Sequence, residues 1–113
     1  MTDAKQHLLS NATVKGRRVA VAEAFDLLVG AISAHSVRPL SSVPVDRNNA
    51  LMFMLDLPAY GENAYIMLDI FSRIRERRNA LMSGGELRTS EARSLVEDTF
   101  ALIDMLEARE VVL

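Results

Sequence analysis

Residues 51–71, LMFMLDLPAYGENAYIMLDIF, decide the fold class, because they hold two apolar runs on either side of a break at residues 58–63. The first run, residues 51–55, shows none of the polar–apolar alternation that marks a half-buried β-strand. Leucine and methionine, both strong helix formers, dominate the runs, whereas valine and threonine are absent from them. We therefore predict helix, break and helix. A β-hairpin remains the alternative, since a fully buried strand also lacks alternation.

The second run continues into a longer helix. Pro58 lacks a backbone donor, so it is predicted to end the first helix near Asp56 or Leu57. The pattern then predicts a helix over about residues 63–83, which stops at the glycine pair 84–85. At about 100° per residue, the apolar stripe of this long helix consists of Met67, Ile70, Phe71, Ile74 and Leu81.

Amphipathic patterns predict two further helices. One covers about residues 17–34, and the last begins near Thr89 or Ser90 and runs to about residue 109. The predicted core face of the helix at 17–34 is Val21, Ala24, Phe25, Leu28 and Ile32, and its opposite face is Glu23, Asp26, Gly30 and Ser33. The predicted core face of the last helix is Ala92, Leu95, Val96, Thr99, Ile103 and Leu106. Glu91 suits the positive end of the dipole of this last helix.

These elements predict an all-α fold, a small antiparallel helical bundle of three to four helices that forms one domain over residues 17–113. Residues 1–16 are polar and weakly patterned, so we expect an N-terminal arm that is mobile or loosely docked, with a helical turn or two at residues 5–9. Pro39 and Pro44 cannot continue a helix, and residues 35–46 are therefore predicted to be a proline-containing crossover.

The composition argues against several functions. The chain has no cysteine, which excludes disulfides and thiol catalysis. Neither His7 nor His35 is followed by a carboxylate or a second histidine three or four residues later. No nucleophile, phosphate-loop or dinucleotide motif is present, so we expect no enzyme activity, no cofactor and no metal. No apolar stretch is long enough for a membrane span, and the amino terminus lacks the order of a signal peptide. We expect a cytoplasmic protein.

The helix at residues 63–83 carries more apolar surface than one stripe. Tyr65 lies about 180° around it from Ile74, and Leu68 about 120°, so its first turns are apolar on nearly every side. With the all-apolar run at 51–55, this predicts a surface covered by a protein partner or by a second copy in a homodimer. The predicted residues of that surface are Leu51, Phe53, Leu55, Tyr65 and Leu68. The alternative is that the arm and the crossover fold over it.

Two basic clusters, at residues 15–18 and 73–78, suggest a different function, that of a small DNA-binding regulator. The arginines that would contact phosphates are Arg17, Arg18, Arg75 and Arg78. Glu76 interrupts the second cluster, the net charge is −2, and no helix-turn-helix spacing precedes it, so nucleic-acid binding is disfavoured. In the alternative interpretation, the arginine side chains lie beside the core and pair with acids of the last helix.

The small size, the helical pattern, the missing cysteine and the excess of arginine over lysine resemble those of QslA-like quorum-sensing anti-activators of pseudomonads. The resemblance is carried above all by residues 38–71, RPLSSVPVDRNNALMFMLDLPAYGENAYIMLDIF. It implies a protein that binds the ligand-binding domain of a LuxR-type receptor such as LasR. By blocking dimerisation of the receptor, such a protein prevents DNA binding, and it uses no cofactor.

Overall fold

The computed structural model describes residues 2–12, 16–39, 50–84 and 88–111. The α-helices of this part of the chain are α1 (Thr2–Ala12), α2 (Arg17–His35), α3 (Asn63–Met82) and α4 (Thr89–Val111). Two 3₁₀ helices, Ala50–Met54 and Leu57–Tyr60, precede α3, and the described residues contain no β-strand. The all-α prediction is therefore confirmed, and the β-hairpin alternative is wrong.

The core is built around α4. α2 and α4 form the most extensive helix pair, and α4 also packs against α3 and α1. Every residue that we predicted on the core faces of α2, α3 and α4 is buried, and the four residues predicted on the opposite face of α2 are exposed. The 3.6-residue period thus located three of the four helices together with their buried sides.

The buried face of α4 is wider than predicted. Phe100 and Leu102 are also buried, and they lie about 160° apart on the helix, at opposite edges of the predicted face. A helix that packs against one neighbour buries a single stripe, whereas α4 is covered by three helices. The additional contacts explain why the simple stripe underestimated its buried arc.

The first apolar run is a 3₁₀ helix and not the predicted α-helix. Met52 and Leu55 are 0% and 1% exposed, and the backbone N–H of Leu55 donates to the carbonyl of Met52 across 3.1 Å. Residues three apart eclipse one another in a 3₁₀ helix, so both side chains enter the core on the same side. The segment is also too short to stabilise an α-helix by itself. Pro58 is the second residue of the second 3₁₀ helix, within the first turn, where its missing donor costs little.

The amino-terminal segment is more ordered than we predicted. α1 spans 11 residues, packs against both α2 and α4, and buries Leu8, which is 2% exposed. The expected one or two turns in a loosely docked arm are corrected accordingly. Leu8 and the partly buried Leu9 are adjacent, so they define no helical period from which the sequence could reveal that α1 docks.

The crossover is described only in part, since residues 40–49 lie outside the described residues. At its start, the backbone N–H of Val37 donates to the carbonyl of Met54 across 2.8 Å, and Arg38 Nη2 donates to the carbonyl of Leu55 across 3.3 Å. These bonds fasten the end of α2 to the first 3₁₀ helix. They hold the segment that leads into α3 against the core.

The start of α4 agrees with its sequence signals. Its first residue is Thr89, and the carboxylate of Glu91 accepts a hydrogen bond from the backbone N–H of Arg88 across 3.2 Å. This is the glutamate half of a capping box, and it satisfies a donor that the helix leaves open. The Thr89 hydroxyl accepts a hydrogen bond from Arg17 Nη1 at 2.7 Å, which ties the start of α2 to the start of α4.

Leu8→Ala tests whether α1 is part of the fold. We expect this substitution to lower the free energy of unfolding by about 2–5 kcal/mol, because it removes a buried side chain from the core cluster. Gln6→Ala, on the exposed side of the same helix, serves as the control and should change stability by less than about 0.5 kcal/mol. Urea denaturation measures both. If Leu8→Ala has almost no effect on stability, α1 is only loosely docked, as the sequence analysis predicted.

Two glycine-to-alanine substitutions should have opposite signs. Gly30 lies inside α2, and no described atom comes within 4 Å of an added Cβ, so Gly30→Ala should stabilise the protein by about 0.5–1 kcal/mol. Gly61 has φ 61° and ψ −136°, a conformation open only to glycine, so Gly61→Ala should cost about 1–3 kcal/mol. Thermal unfolding of both variants measures these changes in stability. A destabilising Gly30→Ala would contradict the open space beside Gly30.

Candidate protein-binding surface

The structure separates the five residues that we predicted for a binding surface. Tyr65 is 78% exposed, whereas Leu55 is buried in the core. Leu51 and Leu68 are half-buried and pack against the core, and Phe53 is half-buried. The prediction for Leu55 is wrong, because this residue directly follows the 3₁₀ helix, bonds back to Met52 and is buried beside it.

Ile66 belongs to the exposed surface, and the sequence analysis missed it. Its side chain is 52% exposed and lies directly beside Tyr65 in the first turn of α3. Ile66 and Leu68 lie on opposite sides of the predicted stripe, about 80° and about 120° around the helix from Ile74. The structure covers the Leu68 edge and leaves the Ile66 edge open. Helical angles place a residue at an edge, but they do not say which edge has a neighbour.

The exposed pair lies on a continuous outer face of α3. This outer face is defined by six exposed residues within an arc of about 100°, Glu62, Tyr65, Ile66, Asp69, Arg73 and Glu76. Asp69 and Arg73 form an i,i+4 ion pair, with Nε and Oδ2 3.7 Å apart. Both side chains are about half exposed or more, so the pair adds little to stability and stays accessible to a partner.

Other exposed apolar side chains are scattered. Val19 and Leu27 lie eight residues apart on α2, about 12 Å along the helix axis, and Val37 follows the end of that helix. Single exposed apolar residues are common on protein surfaces and need no partner. Among the large exposed apolar residues of the described ranges, only Tyr65 and Ile66 are adjacent in sequence. The outer face of α3 is therefore the best candidate for a binding surface.

The arginines proposed for phosphate contact do not form one open patch. Arg17 donates to Thr89, and the Arg78 guanidinium lies 4.3 Å from the centroid of the Phe25 ring. Arg75 is half-buried in a shallow groove on α3, whereas Arg18 is exposed. Lys15 lies outside the described residues.

Two arginines of the cluster at residues 73–78 make contacts that join α3 to other helices. Arg77 Nη1 pairs with Asp98 Oδ2 across 3.3 Å and joins α3 to α4, as predicted for arginines that pair with acids of the last helix. Arg78 covers Phe25, whose ring centroid lies 6.3 Å from that of Phe71. The guanidinium and the two rings thus connect α2 with α3. Arg78 Nε is buried and has no hydrogen-bond partner among the described residues.

The described residues offer few other side chains that could form a catalytic or metal site. His7 is exposed and His35 is half-buried, and within the described ranges no three His, Cys, Asp or Glu side chains come together as a metal site. No helix in this part of the chain has the length and apolar character needed to cross a bilayer. These observations leave the expectation of a non-enzymatic protein as a prediction.

Comparison with known proteins adds no relative, since no family model, curated protein or solved structure matches the chain. The resemblance to QslA-like anti-activators therefore stays a prediction. It is carried by residues 38–71, of which residues 40–49 lie outside the described part.

Arg78→Glu should act on stability and not on a phosphate site. We expect a loss of about 1–3 kcal/mol in the free energy of unfolding, because the change removes the cation from the Phe25 ring and places an anion against its negative face. Arg18→Glu makes the same charge reversal at an exposed position and should alter stability by less than about 0.5 kcal/mol. Urea denaturation compares them, and equal effects would show that Arg78 is free for another role.

Proposed function

We propose that this chain is a small cytoplasmic regulatory protein that sequesters a transcriptional activator. The activator is a LuxR-type quorum-sensing receptor such as LasR, and binding keeps it from dimerising and from binding DNA. The observation that carries the proposal is the exposed pair Tyr65 and Ile66 on the outer face of α3. No catalytic step and no cofactor is involved.

The exposed pair supports binding because both side chains gain free energy when a partner covers them. Complete burial of a side chain of this size stabilises a complex by roughly 1.5–3 kcal/mol. Tyrosine is enriched among the residues that dominate binding energy, since it offers a large apolar ring together with a hydroxyl that can hydrogen-bond. Tyr65 and Ile66 can therefore act as the central anchors of an interface.

The inner face of α3 packs firmly against the rest of the protein. Five predicted stripe residues of α3 are buried in the core, and Arg77 and Arg78 attach the helix to α4 and α2. A rigid helix loses little conformational freedom on binding, which favours affinity. Docking of one helical face into an apolar groove is a common mode of recognition between proteins.

Sequestration then follows from competition for one surface. If α3 occupies the region through which two receptor molecules pair, the receptor monomer is held in a complex that cannot form the productive dimer. The fraction of dimeric receptor falls as the concentration of this chain rises above the dissociation constant. Self-association is the weaker, competing use of the face, and we propose that the chain forms a homodimer only when the receptor is absent.

DNA binding by this chain itself receives less support. Arg17 and Arg78 are engaged within the fold, and the outer face of α3 carries three carboxylates and one arginine. Such a face repels a phosphate backbone. Of the four arginines first considered, Arg18 is the one that the structure leaves exposed.

Tyr65→Ala and Ile66→Ala should each weaken binding to the purified ligand-binding domain of a LuxR-type receptor by about 10- to 30-fold. Leu27→Ala and Val37→Ala, which remove exposed apolar side chains elsewhere, serve as matched controls and should leave affinity within about twofold. Titration calorimetry measures the affinity, and circular dichroism checks that helicity is retained. Equal affinities for all four variants would contradict the proposal.

A gel-shift assay tests the mechanism separately from the contact. The wild-type chain should reduce binding of the full-length receptor to its DNA site, and Tyr65→Ala should lose most of this effect. Sedimentation velocity should show the receptor changing from a dimer to a complex with this chain. A receptor that stays dimeric on DNA while it binds the chain would refute sequestration.

A further inference from the structure

We infer that the partner surface bound by the outer face of α3 is an apolar depression with a basic rim of arginine or lysine side chains. This inference rests on the proposed function, and it specifies the chemistry of the partner. It follows from the charges that surround the two apolar anchors. Those charges lie on α3 or, for Glu62, at its N-cap in helical backbone geometry, so their placement relative to Tyr65 and Ile66 is fixed by that backbone.

The acidic side chains flank the anchors along the helix axis. Glu62 precedes Tyr65 by three residues, and Asp69 follows Ile66 by three, so each lies one turn from the pair. Glu76 extends the same strip towards the C-terminus of α3. Side chains three or four residues apart on a helix are about 5–6 Å apart at Cβ. A partner group that meets the rim of the apolar pair therefore meets carboxylates.

The basic side chains do not cancel this charge. Arg73 is the one cation among the six residues of the outer face, and it is paired with Asp69. Three carboxylates and one guanidinium give the face a net charge of −2. Residues 48–72 contain three aspartate and glutamate residues and no lysine or arginine. The cations of α3 begin only at Arg73, beyond the two anchors.

A second copy of the chain is the poorer match for this face. In a symmetric pair, the same surface meets itself, and a charge of −2 would face a charge of −2. A partner that presents arginine or lysine around an apolar depression would instead neutralise Glu62 and Glu76 without breaking the pair of Asp69 and Arg73. Charge complementarity therefore favours a different, basic protein surface over self-association.

Charges at the rim of an interface act mostly on the rate of association and on its dependence on salt. The test therefore measures association and dissociation rates with the purified receptor ligand-binding domain at about 50 mM and about 500 mM salt, on either side of physiological screening. Wild-type association should slow by about tenfold at high salt. Dissociation should change much less.

The decisive variant is Glu62→Gln with Glu76→Gln, which brings the outer face to neutrality while leaving the apolar anchors in place. We expect its association rate at low salt to fall by about 3- to 10-fold and to lose most of its salt dependence. The matched control is Glu23→Gln with Glu107→Gln, which makes the same chemical change at exposed positions on α2 and α4. The control should associate nearly like the wild type.

The outcomes separate this inference from the proposed function. If Tyr65→Ala weakens binding but the two glutamine pairs behave alike, the basic rim is refuted and the proposed binding face stands. If Tyr65→Ala binds like the wild type, the proposed face is refuted and this inference with it. If sedimentation shows a dimer that Tyr65→Ala dissociates while receptor affinity is unchanged, a second copy occupies the face and the inference is wrong.

Discussion

The burial of α4 against three other helices is the constraint on which the rest of the structure depends. Its buried arc reaches from Leu102 round to Phe100, and it provides the surface on which α1, α2 and α3 are arranged. α3 contacts α2 less extensively than it contacts α4, although Arg78 and Phe71 of α3 both meet the Phe25 ring of α2. The orientation of the outer face of α3 is therefore set by α4, and the candidate site inherits its rigidity from a helix that forms no part of it.

Three helices were predictable because each carries a 3.6-residue apolar period over many turns. α1 was not, since its core contacts come from the adjacent pair Leu8 and Leu9, and two adjacent residues define no period. The 3₁₀ form of residues 50–54 was also missed, because its leucine and methionine residues favour an α-helix. Packing against the rest of the molecule determined the 3₁₀ conformation, because it lets Met52 and Leu55 both reach the core from a very short segment.

Part of the candidate site was predictable from helical angles alone, and part depended on which neighbouring elements cover each side chain. The angle between Tyr65 and Ile74 was enough to place the tyrosine opposite the core, and the structure leaves it exposed. Leu55 and Ile66 were misjudged, because their exposure depends on neighbouring elements and not on their own helix. Similarly, Arg78 reads as a free cation in the sequence, yet it covers an aromatic ring supplied by α2.

The hydrogen bond from Arg17 to Thr89 has a consequence for the order in which the molecule is completed. It joins residues 72 positions apart, and α1 likewise packs against α4, so the earliest segments of the chain wait for the latest helix. During synthesis at about 5–20 residues per second, the apolar sides of α2 and α3 exist for a few seconds before α4 is available to shelter them. In a nascent chain, these apolar sides therefore stay exposed to water until α4 has been synthesised.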